Sequence, residues 1–116
     1  MPTALTLWHG SAMIIEKRTY VLHPGRVPEY LRLYEEEGFA IQEPVLGNLI
    51  GYFYTEIGTA NEVIHMWGYE DYADRDRRRA ELAARPDWQA YLAKILPMIR
   101  TMENAILKGA SISPIR

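Results

Sequence analysis

The sequence contains no cysteine, which excludes disulfide bonds, thiolate metal sites and cysteine nucleophiles. It has no apolar run near the roughly 20 residues that a membrane-spanning helix needs. The formal net charge is −2 at pH 7, so the basic field that usually accompanies nucleic-acid binding is missing. Neither a G-x-G-x-x-G motif nor a Walker loop occurs, so no phosphate-binding loop is indicated. We expect a cytoplasmic protein without a nucleic-acid or membrane partner.

Metal-binding and hydrolase motifs are also lacking. The three histidines, His9, His23 and His65, are far apart and show no ligand spacing. We therefore predict no metal and no cofactor. A haem pocket with His65 as axial ligand is an alternative that no other residue favours. The serines near the termini lie outside any nucleophile-elbow context, so a serine hydrolase is not expected.

The length of 116 residues indicates one domain. A strand pattern begins at Met13, so we predict an N-terminal extension over residues 1–12, as a cloning remnant or an upstream segment. That extension lacks the basic start and hydrophobic segment of a signal peptide. The domain is predicted over residues 13–109 and a C-terminal tail over residues 110–116.

Four strands and two helices are predicted from hydrophobic periodicity. Strands are expected at 13–23, 47–58, 61–70 and 99–109, and the short link between the second and third predicts an antiparallel hairpin. The first helix follows Pro24 and Gly25, has Pro28 in its first turn and is expected to end at Pro44. The second helix is expected to begin with Asp71 as N-cap and to be broken by Pro86.

The order β-α-β-β-α-β is the ferredoxin-like pattern of an α+β protein. It predicts a four-stranded antiparallel sheet in the order 4-1-3-2, with both helices on one face. The other face would carry Ile15, Val21, Ile64 and Met66, which are too apolar to be left in water. A second copy of the chain packed sheet to sheet is the simplest cover, so we predict a homodimer.

Three stretches together resemble the NIPSNAP family: IIEKRTYVLHPGRVPEYLRLYEEEG, LGNLIGYFYTEIGTANEVIHMWGYED and ARPDWQAYLAKILP. The resemblance extends from about Met13 to Lys108. The patterns RTY.L.PG and GYF.TEIG..N.V.H.W.Y are its most specific parts. It implies a dimeric α+β barrel, in which two ferredoxin-like units join through their sheets, near the antibiotic-biosynthesis monooxygenases. The resemblance implies no particular reaction.

The segment VIHMWGY carries the main candidate for chemistry, since an imidazole can act as a general acid or base near neutral pH. Trp67 shares the sheet face of His65 because side chains two apart point the same way. If the first and third strands are neighbours, Tyr20 and Arg18 join that face. We predict a pocket between sheet and helices with His65, Tyr20 and Arg18 as catalytic residues. The alternative is a structural His65 that packs in the core.

Ligand-binding roles are predicted for Trp67, Phe53 and Trp88. Trp88 lies on the apolar face of the helical segment after Pro86, and we expect it to be buried against the sheet. In the second strand, Phe53 points away from Tyr52 and Tyr54, and one of these two faces is expected to contact the partner subunit.

A run of arginines between residues 75 and 85 is interleaved with acidic residues. Pairs three and four apart on a helix, such as Asp74 with Arg78, form ion pairs. We therefore interpret the run as a solvated, salt-bridged helix face rather than an anion site.

Two functions remain open from these residues. The first is a homodimeric module that binds a small apolar or aromatic ligand without turnover. The second is a cofactor-independent monooxygenase or isomerase, in which His65 is the base and Tyr20 and Arg18 orient an oxyanion.

Overall fold

A computed structural model describes residues 13–116, so the predicted extension over residues 1–12 lies outside the described residues. The elements are β1 (Ile14–Leu22), α1 (Val27–Leu33), a π-helical turn (Tyr34–Gly38), α2 (Phe39–Leu46), β2 (Leu49–Tyr54), β3 (Glu62–Tyr69), α3 (Tyr72–Ala83), α4 (Pro86–Ile95), a 3₁₀ turn (Leu96–Met98) and β4 (Ile99–Leu107). Across the described range, none of the helices has the length and apolar character to cross a membrane.

The strands form one antiparallel sheet in the order β2-β3-β1-β4. The predicted 4-1-3-2 order and the β2–β3 hairpin are therefore confirmed. The two central strands, β1 and β3, are each paired on both sides.

The first helical segment continues past the predicted stop at Pro44 and ends at Leu46. Pro44 lies inside the last turn of α2, where its missing N–H removes a single hydrogen bond. The helix ends at Gly47, which has a φ of 87° and donates its N–H to the carbonyl oxygen of Glu43 at 2.8 Å. A glycine with positive φ at this position is the usual helix stop, so the prediction from Pro44 was wrong.

Within the π-helical turn, Gly38 allows the helix to approach α4 closely. A Cβ added at Gly38 would lie 2.6 Å from the Tyr91 ring and 2.7 Å from the Tyr34 ring. Such distances are far inside normal contact, so the absence of a side chain here lets Tyr91 pack under the helix. Gly38 thereby helps to place a residue that matters for the cavity described below.

The second helical region begins and breaks as expected. Asp71 caps α3 by accepting a hydrogen bond from the backbone N–H of Asp74 at 2.7 Å. Arg85 is extended, with φ −80° and ψ 125°, and α4 then begins at Pro86. The cap and the break are confirmed, and they turn α4 so that Trp88 and Tyr91 are buried.

Both helical regions cover the sheet face that carries Leu22, Val63 and Trp67, each 0% exposed. On the opposite face Phe53 is 50% exposed and Leu107 is 40% exposed. The predicted division of the sheet into a helix-covered face and an open face is therefore present. The core, and with it any internal cavity, lies between the sheet and the helices.

Candidate functional site

One row of side chains crosses the whole sheet on its helix-covered face. In the strand register, His65 of β3 pairs with Tyr52 of β2 on one side and with Arg18 of β1 on the other. Arg18 in turn pairs with Asn104 of β4. An irregularity in β2 between Leu49 and Gly51 is needed for this row, because it turns Tyr52 toward the helices.

A cavity of about 120 Å³ lies above this row, beneath the helices. Arg18, Tyr20 and His65 line it from the sheet, while Trp88 and Tyr91 line it from α4. Leu96 and Met102 also line it and are each 47% exposed, so they mark the side on which the cavity meets solvent. The three residues predicted as catalytic thus contact one common space.

His65 is held in one protonation state by its surroundings. The indole N–H of Trp67 donates to Nδ1 of His65 at 2.8 Å, so the proton of the neutral imidazole is on Nε2. Burial, together with the cations Arg18 and Arg79, lowers the pKa of His65 to about 3. At neutral pH Nδ1 is occupied and Nε2 already carries a proton. The predicted role of His65 as a base is therefore not supported, and the imidazole instead offers an N–H donor.

That donor has no partner among the residues that the structure describes. Nε2 of His65 is buried without a hydrogen-bond partner, and His65 as a whole is 1% exposed. A buried polar group left unpaired costs on the order of 1–3 kcal/mol. The hydroxyls of Tyr91 and Tyr69 and Nη1 of Arg79 are likewise buried without a hydrogen-bond partner among residues 13–116. His65, Tyr91 and Arg79 line the cavity, whereas Tyr69 does not, and Arg79 opposes the rise in pKa that burial causes at Tyr69.

Aromatic rings surround the imidazole on several sides. Tyr52 stacks on His65 with ring centroids 4.6 Å apart, and Tyr34 stacks on Tyr52 at 4.3 Å. Tyr20 contacts His65 edge to face at 5.0 Å. The hydroxyls of Tyr30 and Tyr52 are hydrogen-bonded at 2.8 Å. Burial raises the pKa of Tyr30 and that of Tyr52, so these phenols stay neutral and act as walls.

A fully buried carboxylate organises the arginines next to the cavity. Glu16 is 0% exposed and accepts hydrogen bonds from Arg18 and Arg75, each at 2.9 Å, and from Asn104 at 2.8 Å. Burial alone would raise the pKa of Glu16, but Arg75, Arg79, Arg18 and Asn104 together lower it to about 2. The carboxylate therefore stays charged and fixes both guanidinium groups.

Arg18 also orients Tyr20. Its Nε donates to the hydroxyl oxygen of Tyr20 at 2.9 Å. Because this contact uses a lone pair of the oxygen, the hydroxyl hydrogen of Tyr20 is free to donate elsewhere. The guanidinium of Arg18 donates hydrogen bonds to both Glu16 and Tyr20. Arg18 therefore positions Tyr20 and places a positive charge beside the cavity.

The residues predicted to bind a ligand fall in three different places. Trp88 is buried, 7% exposed, and lines the cavity. Trp67 is fully buried beside His65 and is absent from the lining, so it fixes the imidazole rather than bounding the space. Phe53 pairs with Ile64 on the open sheet face, and this position removes it from the predicted pocket. The alternation of β2 accounts for the separation of Phe53 from Tyr52.

The interpretation of the arginine run as a salt-bridged helix face was correct for Arg77, Arg78 and Arg85 and wrong for Arg75 and Arg79. Arg78 pairs with Asp74 at 2.8 Å, as predicted. Arg75 instead reaches the buried Glu16, and Arg79 lines the cavity. Arg75 and Arg79 are four residues apart, on one helix face. The sequence did hold a signal for these two arginines. Glu16 lies at an inward position of β1, and a buried carboxylate needs cationic partners.

The cavity does not suit a haem. A cavity of about 150 Å³ holds a single benzene ring, so the space of about 120 Å³ is too small for a porphyrin. Within residues 13–116 there is also no group of three or more potential metal-ligating His, Asp or Glu side chains.

Solved structures of other proteins have a fold similar to that of this chain. A NIPSNAP-like domain protein from Burkholderia xenovorans has a crystal structure that is similar over 90% of this chain and 91% of that chain, with 54% identity and a TM-score of 0.88. A putative antibiotic biosynthesis monooxygenase from Bacteroides thetaiotaomicron is similar over 89% of this chain and 92% of that chain, with a TM-score of 0.60. Its 17% identity shows a shared ferredoxin-like fold only.

Curated relatives are longer than this chain. The NipSnap homolog of Dictyostelium discoideum is 34% identical over 93 residues, which is 77% of this chain but 39% of that protein. The chain therefore spans about two-fifths of the length of this relative. The NIPSNAP family model matches residues 15–114. From this match and these relatives, the chain belongs to the NIPSNAP family.

Proposed function

We propose that the protein binds a small aromatic or apolar molecule in the cavity between the sheet and the helices. The observation that carries this proposal is the cavity of about 120 Å³, bounded by Tyr20, Tyr34, Tyr52 and Trp88. A closed apolar cavity of about 150 Å³ binds benzene, so this smaller space of about 120 Å³, which is open to solvent on one side, suits no more than one aromatic ring. Because Leu96 and Met102 are half exposed, a ligand has a short route inward.

Thermal-shift and NMR titrations with benzene, toluene and phenol test this proposal. We expect saturable stabilisation of the wild-type protein and loss of that effect in Leu92→Phe, which adds volume to a residue of the cavity wall. Leu31→Phe is the matched control, since Leu31 is half-buried outside this cavity. Circular dichroism checks that both variants fold. Equal ligand responses in the two variants would show that binding takes place elsewhere.

A second candidate is a cofactor-independent monooxygenase or isomerase. The observation that favours it is the convergence of Arg18, Tyr20 and His65 on one space. The Nε2–H of His65 and the O–H of Tyr20 are donors that could stabilise an oxyanion as it develops on a bound substrate. In this form His65 supplies a hydrogen bond and no base.

Turnover assays on the ligands found by titration separate the two candidates. Oxygen uptake and hydrogen–deuterium exchange into the ligand are the readouts. An enzyme should lose the activity in Tyr20→Phe with little change in ligand affinity, because an oxyanion develops only in the transition state. Ligands recovered unchanged, without oxygen uptake or exchange, would leave the binding module as the function.

The homodimer is proposed on the open face of the sheet. Phe53 and Leu107 are exposed there, and Ile64 and Met66 are half-buried. Burial of this face against a second copy should remove more than roughly 1,000 Å² of total surface, the range of biological interfaces.

Light scattering at micromolar concentration measures the dimer. Ile64→Lys should shift the mass toward the monomer, because it places a charge in the centre of the face. Ile112→Lys, at a tail position that is 92% exposed, is the control and should leave the mass unchanged. His65→Ala should also remain dimeric, since His65 lies on the other face. A monomeric wild-type protein would contradict the proposal.

A further inference from the structure

We propose that the ligand is a small aromatic molecule that carries an anionic oxygen, a carboxylate or an enolate, held by His65, Tyr91 and Arg79. This inference rests on the proposed binding function and names the ligand class for the same cavity.

The first argument is the hydrogen-bonding character of the unpartnered atoms. Nε2 of His65 can only donate, since Nδ1 already accepts from Trp67. Nη1 of Arg79 can only donate, because a guanidinium has no acceptor. Tyr91 is 1% exposed, and its hydroxyl has no partner within residues 13–116, so it can donate as well. Three donors around one space are satisfied by a ligand that supplies acceptor oxygens.

The second argument is charge. The described residues that line the cavity include Arg18 and Arg79 and no aspartate or glutamate. Glu16 forms ion pairs with Arg18 and Arg75, and the charge of Arg79 also acts on it at longer range, so this one carboxylate faces three guanidinium groups. Arg79 takes part in no ion pair with another described residue. The net charge of the side chains next to the cavity is therefore positive, and a buried positive charge is stabilised by an anionic partner. A cationic ligand would add to the imbalance, and a hydrocarbon would leave all three donors unpaired.

The third argument is shape. Apart from the donors, the walls are aromatic and aliphatic, with Tyr34, Tyr52 and Trp88 presenting large apolar surfaces. A planar ring with one acidic substituent places its apolar part against these walls and its oxygens at the donors. Carboxylate and enolate share the required chemistry, a negative charge on oxygen attached to a flat carbon skeleton.

Calorimetric titration with benzoate, benzamide and benzene at pH 7.5 tests the inference. Benzamide has the shape of benzoate without its charge, and benzene reports the apolar cavity alone. We expect benzoate to bind at least tenfold more tightly than benzamide. Arg79→Gln, Tyr91→Phe and His65→Asn should each reduce that ratio severalfold. His65→Asn keeps a side-chain oxygen for the Trp67 N–H while it removes the Nε2 donor.

Arg77→Gln is the matched control for Arg79→Gln. Arg77 lies on the same helix, but its side chain is 66% exposed and paired with Asp74 outside the cavity, so the ratio should keep its wild-type value. As an independent readout, the Nε2–H resonance of His65 should shift on addition of benzoate.

The possible failures are distinct. Binding of benzene with a benzoate-to-benzamide ratio near one would overturn the anionic ligand and leave the proposed function intact. A high ratio that Arg79→Gln, Tyr91→Phe and His65→Asn all leave unchanged would overturn the assigned residues. Absence of binding for all three compounds would contradict the proposed function, and the inference with it.

Discussion

The buried, neutral state of His65 predicts a specific loss of stability in mild acid. The pKa of His65 is about 3 in the folded chain, compared with its ordinary value of 6.5, so the unfolded chain binds the proton more tightly. The contribution of neutral His65 to the free energy of unfolding is fully present above pH 6.5, and it decreases as the pH falls toward 3. Between pH 7.5 and pH 4.5 the unfolded state gains about 2.5 kcal/mol from protonation of this histidine.

His65→Asn removes the titrating group and tests this magnitude. The assay is urea unfolding at pH 7.5 and pH 4.5, at one fixed protein concentration so that any association contributes equally. The wild-type protein should lose about 2.5 kcal/mol more between the two pH values than the variant does. Glu16 interferes little, because its stabilisation is present above pH 4.5 and is lost only as the pH falls toward its folded pKa of about 2.

His23→Asn is the control, because His23 is exposed in the turn after β1. This variant should show the same pH-dependent loss as the wild-type protein. Equal losses in His65→Asn and the wild-type protein would refute the reasoning, since the imidazole would then carry its proton in the folded state as readily as in the unfolded chain.

Three further substitutions test the packing and the polar network by chemical denaturation. Glu16→Gln should cost about 3–5 kcal/mol, because it removes the carboxylate that compensates Arg18 and the partly exposed Arg75; a cost below 1 kcal/mol would contradict the network. Trp88→Ala should cost about 3–5 kcal/mol, as large-to-small core changes do, and an unchanged midpoint would show that Trp88 packs loosely. Asp71→Ala should cost about 1 kcal/mol through loss of the α3 cap, whereas Asp71→Asn should recover most of that loss.

Much of the architecture could be predicted from local patterns. The alternation in VIHMWGY placed His65 and Trp67 on one face of β3, and the short link after β2 fixed the hairpin. The strand order followed from the order of the elements, because ferredoxin-like connections allow few arrangements. The helix end at Pro44 was misjudged, since a proline in a final turn costs little while Gly47 supplies the actual stop.

The chemistry of the site depended on contacts between distant residues. Sequence alone placed Arg18, Tyr20 and His65 on neighbouring strands, and these residues do share a cavity. It did not reveal that Trp67 occupies Nδ1 of His65, because a side-chain hydrogen bond depends on rotamers as well as on register.

The sequence by itself determined the periodicity of each element, the division of the sheet into two faces and the position of His65 among aromatic residues. Only the tertiary structure decided which arginines of α3 turn inward. Arg75 reaches Glu16, which lies 59 residues earlier in the chain, and Arg79 lines the cavity. The same packing changed His65 from a possible base into a donor. The physical reason is that burial and long-range charge set the protonation of a side chain, and neither is encoded in its local pattern.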